Sequence, residues 1–487
     1  MKNILIFPVH LFENNDIIIN SDTSDHKYII EDPIYFTKYN THKLKLILHR
    51  ASMKKYADLH KLKYIEYNDV DTFYNKLNDT IVLYDPIDHD VLNKLKKYSK
   101  KNNFTIDLYE TPAFITSYEE LQNFNSSQKN KRFIHDSQFY RWQRNRLNIL
   151  KNTKLSYDDE NRKPFEKNQK EIFQPNTINN NYITEAKKYI EKHFSKNFGN
   201  TNNFFYPIDT KGAKEWLHDF IKHRFKLFGD YEDAIGKNIH FGYHSVLSPL
   251  LNIGLLTDQD VLDEILPLQH KIKINSFEGF IRQIIGWKST MRYFYEFYHD
   301  KQFETNYFKH TRKLTNHFWE GTTKIPIIDN TIHKLKDTGY LHHIERLMVM
   351  GNFMLLCEIH PDEVFKWFML TIDAYQWVMV PNIYGMSQYA DGGLMMTRPY
   401  YSSSNYILKM SDSKEKDGEL IMLGKEEYKW TEIWDGLYYR FISNNKDMLK
   451  KIYAAARNVA HWDKKTKSEQ DKLLDVAEKY LHFLNKN

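Results

Sequence analysis

The 487-residue sequence predicts an α/β N-terminal domain built on a parallel sheet, a long connector, and an all-α C-terminal domain. Three observations lead there. Strand-like and helical runs alternate over the first 110 residues, the composition turns polar between 111 and 185, and from 186 onward apolar residues recur at three- and four-residue steps. The expected boundaries are 1–115, 116–185 and 186–487, in keeping with two or three folding units for a chain of this length.

The expected strands are NILIF at 3–7, YII at 28–30, KYIEY at 63–67, TIVLYD at 80–85 and FTIDLYE at 104–110, with a basic helix through 43–62. Strands and helices alternating at this spacing give parallel pairing through helical crossovers. The glycine fingerprint of a dinucleotide-binding turn is absent, so that device holds no ligand here. TPAFITS, NFNSSQKNK and NTINNN mark the connector as a chain that wraps a surface. Beyond it, AKKYIEKHF, AKEWLHDFIKHRFKLF, DQDVLDEILPL, FEGFIRQIIGW, HHIERLMVMGNFMLL and PDEVFKWFMLTIDAYQWV read as helices; Thr257 is the expected cap of the third and Pro361 lies in the first turn of the last. No internal repeat or long heptad array is present.

Composition narrows the function. With 34 Tyr, 31 Phe and 9 Trp the chain can fill a large helical core or stack on a planar ligand. A net charge of +6 permits contact with phosphate backbones without locating it. The single cysteine, Cys357, excludes an intrachain disulfide and a cysteine-only metal cluster within this chain. The opening MKNILIFPVHLF is too short for a signal peptide's apolar core or a membrane span, so a soluble, intracellular protein is expected.

Three strings carry chemistry. In YHSVLSPLLNIGLL, 243–256, Ser245, Leu247 and Ser248 offer hydroxyls and backbone N–H groups to an anion, or else a plain helix cap. In EGFIRQIIGWKSTMRYFY, 278–295, Glu278, Arg282, Gln283 and Trp287 put a polar stripe and an aromatic edge on one helix. The block from 339 to 411 holds the paired His342 and His343, then Arg346, Asp373, Asn382 and a Pro-Tyr pair at 399–400. Imidazole is the side chain that trades protons near neutral pH.

The order of these strings, together with EDPIYF at 31–36, HKLKLILHRASMKKYAD at 42–58, FYRWQRNRLNIL at 139–150 and SYDDENRKP at 156–164, resembles the photolyase/cryptochrome superfamily. Within it the chain looks like the bacterial-type (6-4) photolyases, over nearly its whole length. The resemblance implies a light-driven repair enzyme that binds FAD and takes a pyrimidine photoproduct, flipped out of ultraviolet-damaged DNA, beside the flavin. His343 matches the histidine that gives the lesion a proton, with His342 beside it; Leu347 stands where animal enzymes have a second histidine. Arg346 and Asp373 match the ion pair by the flavin, Ser245, Leu247, Ser248, Glu278, Arg282, Gln283, Trp287 and Asn382 the other cofactor contacts, and Lys288 replaces a frequent arginine. Tyr400 matches a lesion-pocket tyrosine, with Tyr401 as the alternative. Trp319 and Trp367 match electron-hopping positions, and Phe368 stands where relatives often have a partner tyrosine.

Where iron-sulfur relatives have four cysteines, this chain has Ile327, Lys414, Asp417 and Glu432, so no such cluster and no metal is expected. The N-terminal domain resembles one that holds an antenna, 6,7-dimethyl-8-ribityllumazine, for which Glu31 is either a contact or an ordinary strand-end carboxylate. Arg141, Arg144 and Arg146 either meet DNA phosphates or form a solvated face or interdomain contact. A monomer with no membrane contact is expected. Two rival functions stay open: repair of cyclobutane dimers, and a cryptochrome-like blue-light photoreceptor.

Overall fold

The computed structural model describes residues 2–128 and 136–486. The first 110 residues form a five-stranded parallel sheet of β1 (Lys2–Ile6), β2 (His26–Ile30), β3 (Lys63–Ile65), β4 (Thr80–Tyr84) and β5 (Ile106–Tyr109), in the order β3-β2-β1-β4-β5. Ile4 pairs with Lys27 of β2 and Val82 of β4, so the apolar run Leu5, Ile6, Phe7 is buried on both faces, as a central parallel strand requires. The order reverses between β1 and β4, and the carboxyl ends of those two strands open a crevice, the place where sheets of this kind take a ligand.

That crevice is met by the helical half. From the helix Lys43–His60, Lys45 donates to the carbonyl of Ala374 and His49 Nε2 lies 2.7 Å from the Tyr375 hydroxyl. Asp88, beyond β4, accepts the N–H of Trp377 at 3.0 Å. The segment 373–377 is thereby clamped by that helix on one side and by the chain beyond β4 on the other, which matters because Asp373 belongs to the site.

The connector carries more helix than its polar composition suggests. Tyr118–Ser127 starts at a capping box of Ser117 and Glu120 and buries Leu121 and Phe124, and Asp136–Leu147 buries Phe139, Tyr140, Gln143 and Arg144. Asn and Ser dilute the apolar spacing without abolishing it. The last three residues of NFNSSQKNK lie outside the described residues.

The C-terminal half is helical apart from a hairpin of β6 (Ile421–Leu423) and β7 (Glu426–Tyr428). Thr257 caps Asp258–Ile265 through a capping box with Asp260, and Pro361 opens Pro361–Phe368. Three helices contain π-helical stretches, Arg282–Lys288, Glu345–Gly351 and Pro381–Ser387. Such stretches are rare and concentrate at functional sites. Two of them touch at Gly351, where a Cβ would fall 2.2 Å from Ser387 Oγ; only glycine allows that approach.

Candidate functional site

All three π-helical stretches line one pair of adjoining cavities. An inner cavity of about 220 Å³ and an outer one of about 340 Å³ share Glu232, Gln283, Trp287, His343 and Met386 as their common wall. In a π-helix the i→i+5 hydrogen bond brings residues five apart onto one side. Arg282 and Trp287 are five apart and both line the outer cavity.

The inner cavity collects Ser245, Leu247, Ser248, Arg346, Asp373 and Asn382, with Lys288 and Trp377. Arg346 Nη2 lies 2.8 Å from each oxygen of Asp373, its Nε donates to the Leu341 carbonyl at 2.7 Å, and the Ser248 hydroxyl donates to Asp373 Oδ2 at 2.5 Å. Burial opposes ionisation of Asp373, yet Arg346 and Ser248 outweigh it and hold the carboxyl below its usual range. Lys288 is likewise matched, by Asp258 Oδ1 at 2.8 Å, and burial still lowers its ammonium. Val246, between the two serines, has φ +56°, a left-handed conformation that a β-branched residue adopts only at a cost of about 1–3 kcal/mol. The strain sits in the loop that presents Ser245 and Leu247.

The outer cavity holds Arg282, Tyr400, Arg398 and Tyr406, with the acidic Asp158, Glu232 and Asp233. Burial pushes Glu232 up to about 8 although it accepts from Gln283 at 2.6 Å and Asn161 at 2.9 Å. Burial, then Asp158, push Asp233 up to about 6. Burial would raise Asp158 as well, but Arg162 and Arg282 hold it low. His343 lies in the wall between the cavities; burial, then the Arg346 guanidinium, bring its imidazole down to about 4, so it is neutral in this state.

Several residues singled out in the sequence stand behind these walls. Glu278 accepts from the Tyr140 hydroxyl at 2.9 Å and the Tyr157 N–H at 3.0 Å and lies 3.4 Å from Arg282 Nε, so it orients the arginine. His342 is stacked on His244 rather than set in either wall. Tyr400 lines the outer cavity, whereas Tyr401 is packed against Phe441 and accepts from Asn458. Trp367 is fully buried and donates to the Phe318 carbonyl at 2.8 Å, next to the half-buried Trp319, while Phe368 packs edge-on against Trp367. Arg141 is exposed, but Arg144 is used on the carbonyls of Leu150, Lys154 and Leu155, and Arg146 on Glu120 and Ile115. The acids of the outer cavity, Glu232 and Asp233, were missed; the acidic run SYDDENR was the available signal for their neighbours Asp158 and Arg162.

Glu31 lies away from both cavities, fully buried beside Arg50 Nη1 at 2.7 Å. At the sheet crevice, both ring nitrogens of His10, the Tyr35 hydroxyl and His49 Nδ1 are buried without a hydrogen-bond partner. The positions of the relatives' cluster cysteines have local uses here. Lys414 accepts the Trp430 indole N–H at its carbonyl and donates its own N–H to the Asp417 carboxylate, Glu432 accepts the N–H of Lys429, and Ile327 is buried. Among the described residues no group of three or more His, Cys, Asp or Glu could hold a metal, and no helix is long and apolar enough to cross a membrane.

Comparison with known proteins fits this geometry. The family described as "Deoxyribodipyrimidine photo-lyase-related protein" matches residues 4–206, and "FAD binding domain of DNA photolyase" matches 280–422, the stretch that supplies most of the inner wall. A "(6-4) photolyase" of Agrobacterium fabrum is 29% identical over 482 residues, 91% of either chain. The crystal structure of a bacterial class III photolyase from Agrobacterium tumefaciens superposes with a TM-score of 0.57 at 16% identity, over 100% of this chain and 98% of that one. A Synechocystis cryptochrome gives 0.53 at 14% identity, over 97% and 94%. The structural likenesses speak for the fold, and the sequence matches carry the rest: two photolyase family models match most of the chain between them, and the chain is similar over nearly its whole length to a bacterial (6-4) photolyase.

Proposed function

We propose that this protein repairs (6-4) photoproducts in ultraviolet-damaged DNA, with FAD in the inner cavity, the flipped lesion in the outer one and His343 as proton donor. The observation that carries the reading is the position of His343, on the one wall common to both cavities. FAD, when bound and reduced, supplies a light-driven electron. Arg346, Asp373 and Asn382 would orient the flavin, Ser245 and the backbone at Leu247 would take its phosphates, and Trp287 and Gln283 would separate it from the lesion. Trp367 and Trp319 remain the proposed hopping pair, passing Phe368 by. Tyr400 and Arg398 line the mouth where a lesion's polar edge would enter, and Arg141 is the arginine of its helix with an exposed side chain for a DNA phosphate.

His343 is neutral while the outer cavity lacks substrate, because burial and Arg346 both disfavour its cation. Negative charge brought by the DNA backbone raises an imidazole's affinity for protons, so the donor is armed by the substrate itself. A ribityl-lumazine antenna stays part of the proposal. Glu31 stays its proposed contact, with its oxygens also engaged by Arg50, Tyr64 and Tyr189.

The test is blue-light repair, with a dark control, of oligonucleotides carrying a (6-4) photoproduct or a cyclobutane dimer. We expect light-dependent repair of the (6-4) substrate alone, reduced about a hundredfold or more in His343→Ala, the usual worth of a general acid. Repair of the dimer, unaffected by that substitution, would reassign the lesion. Flavin binding without repair of either substrate would make the protein a photoreceptor.

A further inference from the structure

The charges of the inner cavity do not match its proposed cargo. Two permanent cations line it, and each is already neutralised: Arg346 by both oxygens of Asp373, Lys288 by Asp258. Glu232, pushed up to about 8 by burial, adds no positive charge either. A dianionic diphosphate entering this cavity therefore meets no uncompensated positive charge, and burying an unpaired anion is costly.

One element can supply the difference. His244, which directly precedes Ser245, lines the inner cavity, and its ring lies parallel to that of His342, with centroids 4.6 Å apart and an interplanar angle of 12°. Both side chains are buried, and His244 Nε2 and His342 Nδ1 have no partner within the protein. Behind the stack, His342 Nε2 stands 3.4 Å from Glu345 Oε2, while Glu345 Oε1 accepts from Lys334 Nζ at 2.8 Å. Lys334 also donates to the carbonyls of Gly236 and Ile239 at 2.6 Å each. The other groups facing the stack are His343 and Arg346, the backbone of Glu232, Phe228 edge-on to His244, and Arg224, which donates to the His244 carbonyl at 2.6 Å. Burial keeps both imidazoles neutral, helped at His342 by the Lys334 ammonium and the Arg346 guanidinium, so the pair has room for a proton.

We propose that the stacked His244–His342 pair takes up a proton from solvent as the diphosphate of the cofactor enters, providing the positive charge that Arg346 and Lys288 cannot. The inference rests on the reading of the inner cavity as the FAD site. Glu345, which also accepts from Lys334, is the carboxylate placed to balance the charge that the stack takes up. The linkage has a definite sign. A group neutral in the free protein and protonated in the complex binds its ligand more tightly at low pH, and affinity falls as pH rises between the two pKa values.

The experiment is a fluorescence titration of the flavin-stripped full-length protein with FAD and, separately, with riboflavin, which lacks the diphosphate, from about pH 6 to 8. Wild-type affinity for FAD should weaken by up to about tenfold per pH unit, the limit for one linked proton. Riboflavin affinity should be level across that range. His244→Gln should bind FAD with a flattened pH dependence, and His218→Gln, at an exposed histidine outside both cavities, should keep the wild-type slope. Should His244→Gln fail to fold, His342→Gln reads the same slope, and calorimetry of the wild type in two buffers of different ionisation enthalpy counts the proton directly. A level FAD profile in the wild type, the same slope for riboflavin, or a slope lost only in His218→Gln would overturn the proposal while leaving the FAD reading intact. If neither flavin binds at any pH, the assignment of the cavity itself fails and the inference falls with it.

Discussion

Two of the buried arginine–carboxylate pairs among the described residues, Arg50–Glu31 and Arg346–Asp373, are equally close and differ in what surrounds them. Arg50 and Glu31 meet at 2.7 Å; Glu31 also accepts from the Tyr64 hydroxyl at 2.7 Å, the Tyr67 N–H at 3.2 Å and the Tyr189 hydroxyl at 3.2 Å. Arg50 is further held by Glu66 and Glu185, and its guanidinium lies 3.3 Å from the centroid of the Tyr189 ring. Every face of that pair is covered by protein. Arg346 and Asp373 form an equally close pair, but both line a cavity. A buried ion pair thus has the character of a binding site only where the fold leaves part of its surface for something else. Otherwise it ties elements together, here the sheet to the helices Lys43–His60 and Asn181–His193.

Substitutions at the two pairs should separate these roles. The largest effect is expected for Arg346→Ala, which leaves Asp373 charged and uncompensated: stability falls by about 3–5 kcal/mol in denaturant melts, and the purified protein carries almost no flavin. Glu31→Gln keeps the shape and leaves Arg50 with Glu66 and Glu185, so the loss should be about 1–3 kcal/mol, with flavin content and absorption spectrum unchanged. Tyr64→Phe removes a single hydrogen bond to Glu31 and should cost about 1 kcal/mol in the same melts, again without touching flavin content. Loss of flavin in Glu31→Gln in proportion to lost stability would erase the distinction between the pairs.

Much of this was legible in the chain. All five parallel strands fall where β-branched runs stand between helical stretches, and the caps at Thr257 and Pro361 occupy their expected places. The motif strings led to one region because they form its walls: Ser245, Ser248, Gln283, Trp287, His343, Arg346, Asp373 and Asn382 converge. What remained hidden depended on partners distant in sequence. Nothing local distinguishes Glu31, whose acceptors are filled by residues up to 158 positions away, from a carboxylate waiting for a ligand. Nothing in YHSVLS announces that its histidine stacks on another almost a hundred residues later. The connector helices were obscured because Asn and Ser stand among the apolar residues that anchor them.

The three π-helical stretches have a consequence for how this cavity can change over evolutionary time. Each makes its helix wider than an α-helix, the imprint expected of a single inserted residue, so the positions of Trp287, Arg346 and Asn382 depend on how many residues precede them as well as on their identity. A one-residue deletion inside Arg282–Lys288 could close the helix back to regular α geometry and swing Trp287 off the shared wall with every side chain still present. Point substitutions explore the chemistry of such a pocket; its shape is inherited through insertions and deletions, which are rarer and harder to reverse.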